Sequence, residues 1–251
     1  MNRLRRALLL VIPLFCLLFW AGQALAQEAG GLTLSLNGSS GPEQVSTALQ
    51  IMILLTVLSM APAILLMTTS FIRIVVVLSF LRQGMGTQQM PPNQMIIGLA
   101  MILTFFIMSP VMSRINDKAL QPYLQEQINE KEALQLAVTP LRNFMFTQVR
   151  EKDLQLIAEI SGQKDLQTKE EVSTLTLIPA FMLSELQRAF QIGFMIFIPF
   201  LVIDMITASV LMTMGMLMLP PIIISLPFKV LLFVLVDGWN LIVGSLMQGF
   251  Y

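Results

Sequence analysis

The stretch Gly215-Met216-Leu217-Met218-Leu219-Pro220-Pro221 is wholly apolar, lies deep in membrane-like sequence, and is unable to continue a helix. Gly215 weakens helical backbone by roughly 0.5–1 kcal/mol relative to alanine. Pro221 lacks a backbone donor, and the residue before each proline is pushed out of the α region. Non-helical backbone leaves amides unpaired, at a cost of several kcal/mol for each group facing lipid. Such a segment belongs where protein buries it or where it lines a cavity. Large, flexible, apolar side chains in that setting point to a constriction or gate.

Composition agrees with a membrane-targeted chain: 55% of residues are apolar, 12% are charged, and mean hydropathy is +0.76. Soluble domains carry roughly 25% charge. Arg3, Arg5 and Arg6 form a basic head, residues 7–20 an apolar run, and Ala24-Leu25-Ala26 an A-x-A site. This pattern predicts a secretory signal peptide cleaved after Ala26. An uncleaved first membrane helix is the alternative, and the shortness of the run argues against it. Cys16, the only cysteine, lies in this leader, and the chain has no histidine. Disulfides, zinc sites and His-based acid–base chemistry are thereby excluded from the mature chain. Losing three arginines leaves 12 basic against 15 acidic residues. Neither a basic patch nor a Gly-rich phosphate loop is present, so nucleic acid and nucleotide are not expected partners. No cofactor is expected, and an enzyme is disfavoured by elimination.

Along the chain, residues 44–72 carry no charge and are long enough to span roughly 30 Å of hydrocarbon, with Pro62 predicting a kink or break. Arg73 follows in an apolar context, and Arg73 and Arg82 flank the turn 82–94, which closes a hairpin whose return arm runs over 95–111. Positive charge there fits a short cytoplasmic turn. Residues 114–176 hold 18 of the mature chain's 27 charges. Leu120, Leu124 and Ile128 recur there at helical spacing, Thr139-Pro140 reads as an N-cap with proline at N1, and a helix from about Asp153 should stop near Gly162. Apolar sequence resumes at Leu177, with two arms over 180–218 and 222–248.

The organisation expected is therefore a signal peptide (1–26), a flexible exported N-terminus (27–43) and a first apolar helical hairpin (44–112). A polar helical periplasmic domain (113–178) and C-terminal apolar broken helices with the Met-rich loop (179–251) complete it. The fold class is all-α: membrane-type broken helical hairpins with a small charged helical insertion.

Ionised groups in apolar sequence cost at least about 2.5 kcal/mol at a bilayer centre unless paired or facing a cavity. Glu185 and Arg188 stand at i,i+3 and fit a local pair. Asp204 and Lys229 have no local partner of opposite sign, so they pair elsewhere in the chain or on another subunit, or snorkel to the interface. A proton or ion pathway through them is a further reading. The 19 methionines are the other signal, with Met212, Met214, Met216 and Met218 alternating before the double proline. Methionine repacks around irregular partners, although Met-rich stripes are also ordinary core. If several copies ring a pore, Met216, Leu217 and Met218 close it by dewetting.

Long stretches of this chain resemble the flagellar biosynthetic protein FliP family and its injectisome homologues. They include Ser70-Phe71-Ile72-Arg73-Ile74, Leu81-Arg82-Gln83-Gly84-Met85-Gly86-Thr87-Gln88-Gln89-Met90-Pro91-Pro92-Asn93-Gln94, Phe181-Met182-Leu183-Ser184-Glu185-Leu186, Leu226-Pro227-Phe228-Lys229 and Val236-Asp237-Gly238-Trp239. The resemblance covers about residues 45–251, and the leader and length favour the flagellar branch. It implies a subunit of the type III export gate, assembled as a pentamer with FliQ and FliR into a closed helical cone around a channel for unfolded flagellar proteins. It further implies contact with other export components and lipid, at the bacterial inner membrane with much of the chain on the periplasmic side. By resemblance, Met216, Leu217 and Met218 occupy a gasket whose usual three methionines are broken here by Leu217, which keeps the apolar seal but stiffens it. Arg150, Glu185, Asp204 and Lys229 become candidates for contacts between copies, and Gly215, Pro220 and Pro221 for the breaks that frame the gate. The alternative is a stand-alone secondary transporter or ion channel using Glu185, Asp204 and Lys229.

Overall fold

The computed structural model describes residues 42–87, 90–162, 171–216 and 218–250. The expected signal peptide and the segment up to residue 41 lie outside the described residues, as does Leu217. Every regular element among the described residues is a helix. The chain divides between Thr56 and Val57, within the first helix α1 (Pro42–Met67).

The remaining elements are α2 (Phe71–Gly84), α3 (Asn93–Ile115), a π-helical turn (Asn116–Leu120), α4 (Gln121–Leu124), α5 (Glu130–Gln148), α6 (Glu151–Ile160), α7 (Thr174–Thr213), α8 (Pro221–Leu235) and α9 (Gly238–Gln248). By length and composition, Asn93–Leu124 and Thr174–Thr213 are each long and apolar enough to cross a membrane, and two bent helix pairs meet the same test if each is one span.

Buried Ile74, Val77, Leu78 and Leu81 follow i, i+3, i+4, i+7 spacing and turn one face of α2 to the core. They pack with Ile96, Ala100, Leu103 and Ile107 of α3, Phe200 of α7 and Leu246 of α9. A second cluster, built on Met145, Leu177 and Phe181, joins α5 to the start of α7. Close approach of α2 and α7 requires small residues. A Cβ on Gly193 would lie 2.7 Å from the Phe80 ring, and one on Gly84 would lie 2.8 Å from the Phe200 ring.

Two breaks differ from those expected, and a third fixes where the broken last arm bends. Pro62 sits inside α1, and the chain turns instead at Thr68-Thr69-Ser70, where helix direction changes by 64°. The hydroxyls explain the position. Thr68 Oγ1 donates to the carbonyls of Ile64 and Leu65, and Thr69 Oγ1 to that of Leu66, so the last carbonyls of α1 are satisfied by side chains. The second difference is Pro140, which lies inside α5. The helix starts ten residues earlier, at Glu130, because the Asn129 side chain accepts from the Glu132 amide at 2.9 Å. The third is in the last arm, which is two helices bent by 62° at Val236-Asp237. Asp237 adopts a left-handed conformation, φ 49°, and Gly238 follows because a Cβ there would come within 2.3 Å of Phe233. The helix read from about Asp153 to Gly162 is α6, and Gly162 follows it at φ 73°.

Candidate functional site

The loop between α7 and α8 is built by backbone chemistry. Helix α7 ends in a Schellman motif: Gly215 has φ 72°, its amide donates to Met212 O, and the Met216 amide reaches back to Leu211 O, both at 3.0 Å. Pro220 then precedes Pro221 at the first position of α8, where a missing N–H costs nothing. Between these ends the described side chains project outward. Met218 is 97% exposed and Met216 40%, and nothing lies within 4 Å of a Cβ built on Gly215.

Below the loop, α7 and α8 are clipped together. Asp204 accepts from Ser225 Oγ at 2.5 Å and from Lys229 Nζ at 2.6 Å, and Lys229 also donates to Gly84 O at 3.1 Å. Lys229 is buried, and it places its cation at the carbonyl end of α2, where the helix dipole favours positive charge. One ammonium thus joins α7, α8 and α2.

A second polar centre lies deeper. Arg73, in the first turn of α2, is buried rather than flanking an exposed turn. Its Nε donates to Glu185 Oε2 at 2.8 Å and its Nη2 to Glu185 Oε1, a bidentate pair. The same guanidinium donates to Gly249 O at 3.0 Å and Gln148 Oε1 at 2.9 Å, and stacks 3.6 Å from the Phe250 ring centroid. The local Glu185–Arg188 pair is replaced. Glu185 gives both oxygens to Arg73, while Arg188 donates to Gln148 Oε1 at 2.7 Å.

The third centre ties α6 to α7. Arg150 donates to Asp153 Oδ2 through Nε at 2.7 Å and Nη2 at 2.6 Å, and also to Gln187. Ser184 Oγ donates to the same Asp153 oxygen at 2.6 Å. Burial alone would raise the Asp153 carboxyl, but the bonds from Ser184 and Arg150, aided by Arg150 and Lys152 charge, hold it below its ordinary value.

The FliP family model matches residues 54–246, a stretch that contains the loop and the charged side chains of all three polar centres. The chain belongs to the FliP family. Relatives named flagellar biosynthetic protein FliP agree with this over nearly their whole length. The one from Bacillus subtilis (strain 168) is 54% identical over 86% of this chain and 98% of its own. That from Pectobacterium carotovorum subsp. carotovorum is 50% identical over 94% and 90%, and that from Caulobacter vibrioides is 46% identical over 98% and 91%.

Among FliP-family positions expected to matter, the structure brings Asp204 and Lys229 together, gives Glu185 to Arg73, and gives Arg150 to Asp153. Within one copy each has a partner. Sequence reading missed the hub role of Arg73 and the Thr68-Thr69-Ser70 break. The signal for the second was present: three successive hydroxyl residues in an apolar run compete for helix carbonyls. Among the described residues no group of three or more Asp or Glu side chains is arranged to hold a metal ion.

Proposed function

We propose that this chain is the channel-forming subunit of the flagellar type III export gate, through which unfolded flagellar proteins pass, and that Met216, Leu217 and Met218 form its apolar gasket. The observation that carries the reading is the loop itself: a Met-rich, non-helical, outward-facing apolar segment framed by a Schellman cap and a proline start. Met218 is 97% exposed among the described residues, and apolar side chains ringed around a lumen close it by dewetting. Methionine flexibility lets such a ring yield to a passing polypeptide and reseal.

The assembly in this reading is a pentamer with FliQ and FliR, in the bacterial inner membrane and largely on its periplasmic side. Arg150 and Asp204 keep 18% and 32% of their side chains exposed, which supports a role for these two charges in contacts between copies. Glu185 and Lys229, both buried, act on the fold that presents that interface. A transporter pathway through Glu185, Asp204 and Lys229 has less support, because all three are engaged in pairs inside one copy.

The test is conductance of the assembled complex with Met216, Leu217 and Met218 replaced together by glycine. Ion leakage rises if the loop is the seal. Unchanged conductance in a complex of full composition would remove the gasket assignment.

A further inference from the structure

We propose that the cleft between α2, α3 and α9 holds one acyl chain of an anionic phospholipid, with the lipid phosphate on Arg82. The inference is independent of the export role. The cleft has a volume of about 460 Å³, and Leu81, Met85, Met95, Leu99 and Trp239 are among the residues that line it. That size falls among small-ligand sites, roughly 300–1,000 Å³. Among the described residues that line it, Arg82 is the only charged one.

Charge decides the occupant. Arg82 donates through Nη1 to Asn93 Oδ1 at 2.5 Å and to Pro91 O at 3.3 Å, both neutral acceptors. It takes no part in the Arg73–Glu185, Arg150–Asp153 or Lys229–Asp204 ion pairs. The guanidinium is thereby oriented but not neutralised, with its remaining donors at the edge of an apolar cleft. An apolar helix laid over the cleft would bury this cation without a counter-charge, which is strongly unfavourable. A phosphodiester carrying a hydrocarbon chain satisfies both halves: bidentate acceptor oxygens for the arginine and apolar length for the cleft. Depth agrees. Arg82 closes the last turn of α2, α3 begins an apolar stretch long enough to cross a membrane, and Trp239 stands half exposed at the rim. Basic and indole side chains together mark headgroup level.

Trp239 supplies the readout. Besides Trp20, in the expected leader, it is the chain's only tryptophan. The complex of full-length chain with its partners is placed in nanodiscs of phosphatidylcholine. Brominated phosphatidylglycerol or brominated phosphatidylcholine is then titrated in, with Trp239→Phe giving the background from other subunits. Phosphatidylglycerol is expected to quench with roughly five-fold preference, the factor one basic residue supplies near an anionic lipid. The preference should shrink as salt is raised, a measurement that needs no variant. Arg82→Gln should bring the two lipids to equal quenching, and Leu99→Phe, which fills the cleft, should diminish quenching by both. Equal quenching of the unaltered complex at low salt would mean unselective solvation and overturn the proposal. No quenching by either lipid would mean that a protein segment covers the cleft. Quenching unmoved by Leu99→Phe would place the reporter against bulk bilayer, which equally sinks it.

Discussion

Arg73 is tolerated in an apolar interior because four acceptor atoms and an aromatic face surround its guanidinium. Removing one side of such a pair costs more than the pair contributes, since the other charge stays buried. Glu185→Gln should therefore destabilise the solubilised protein by about 3–5 kcal/mol, whereas Arg73→Met combined with Glu185→Leu should recover much of that loss. Thermal unfolding in detergent measures both. A loss under about 1 kcal/mol for Glu185→Gln, the range of an exposed pair, would show that water reaches the site. Asp153 carries a different kind of information, because the Ser184 and Arg150 donors outweigh burial and hold its carboxyl below its ordinary value. Its folded value lies below the ordinary 3.8, so its stabilising contribution is complete above that pH and is lost as pH falls through the folded value. The stability difference between the parent and Asp153→Asn should be flat at neutral pH and close in the acid range. Ser184→Ala, which deletes one donor, should move that closure to higher pH. A difference that grows on acidification contradicts the assigned direction.

At the scale of elements, local backbone chemistry was legible and long-range pairing was not. Gly215 and Pro220-Pro221 interrupt a helix through their own φ preference and missing donor, which needs no tertiary information. The all-α class and membrane-length runs were legible for the same reason, as properties of composition and length. Pro62, Pro140 and Pro199, by contrast, lie inside helices, because a proline's consequence depends on whether packing holds the flanking turns in place. Glu185 looked paired with Arg188 at i,i+3, yet its partner stands 112 residues away on another helix. Glycines carry the hidden packing information. Gly193→Ala drives a Cβ into Phe80 and should cost about 1–3 kcal/mol, while Gly98→Ala meets nothing within 4 Å and should be neutral or gain up to about 1 kcal/mol. Denaturant unfolding of the two variants compares them directly. Equal behaviour would mean that α2 and α7 do not approach as closely as the structure has them.

For the whole molecule, the surface of α7 indicates how the chain is used. Only 11% of its most apolar window is buried within the chain. Ile198, Val202 and Met205 recur at i, i+4, i+7 and are all exposed, so one stripe of the helix lacks a partner among the described residues. An apolar stripe on a helix is covered either by lipid or by protein, and the proposed pentamer assigns it to a neighbouring copy. Met205→Glu separates these possibilities without disturbing the single chain, because the side chain is 63% exposed in it. Native mass spectrometry of the detergent-extracted complex should count five copies of the parent chain beside FliQ and FliR. Met205→Glu should shift that population toward single copies, while helical content and the melting of the isolated chain stay unchanged. A parent complex containing one copy would overturn the pentamer outright. If the five-copy species survives Met205→Glu intact, the stripe does not form the contact between copies, and the interface must be sought on the faces that carry Arg150 and Asp204.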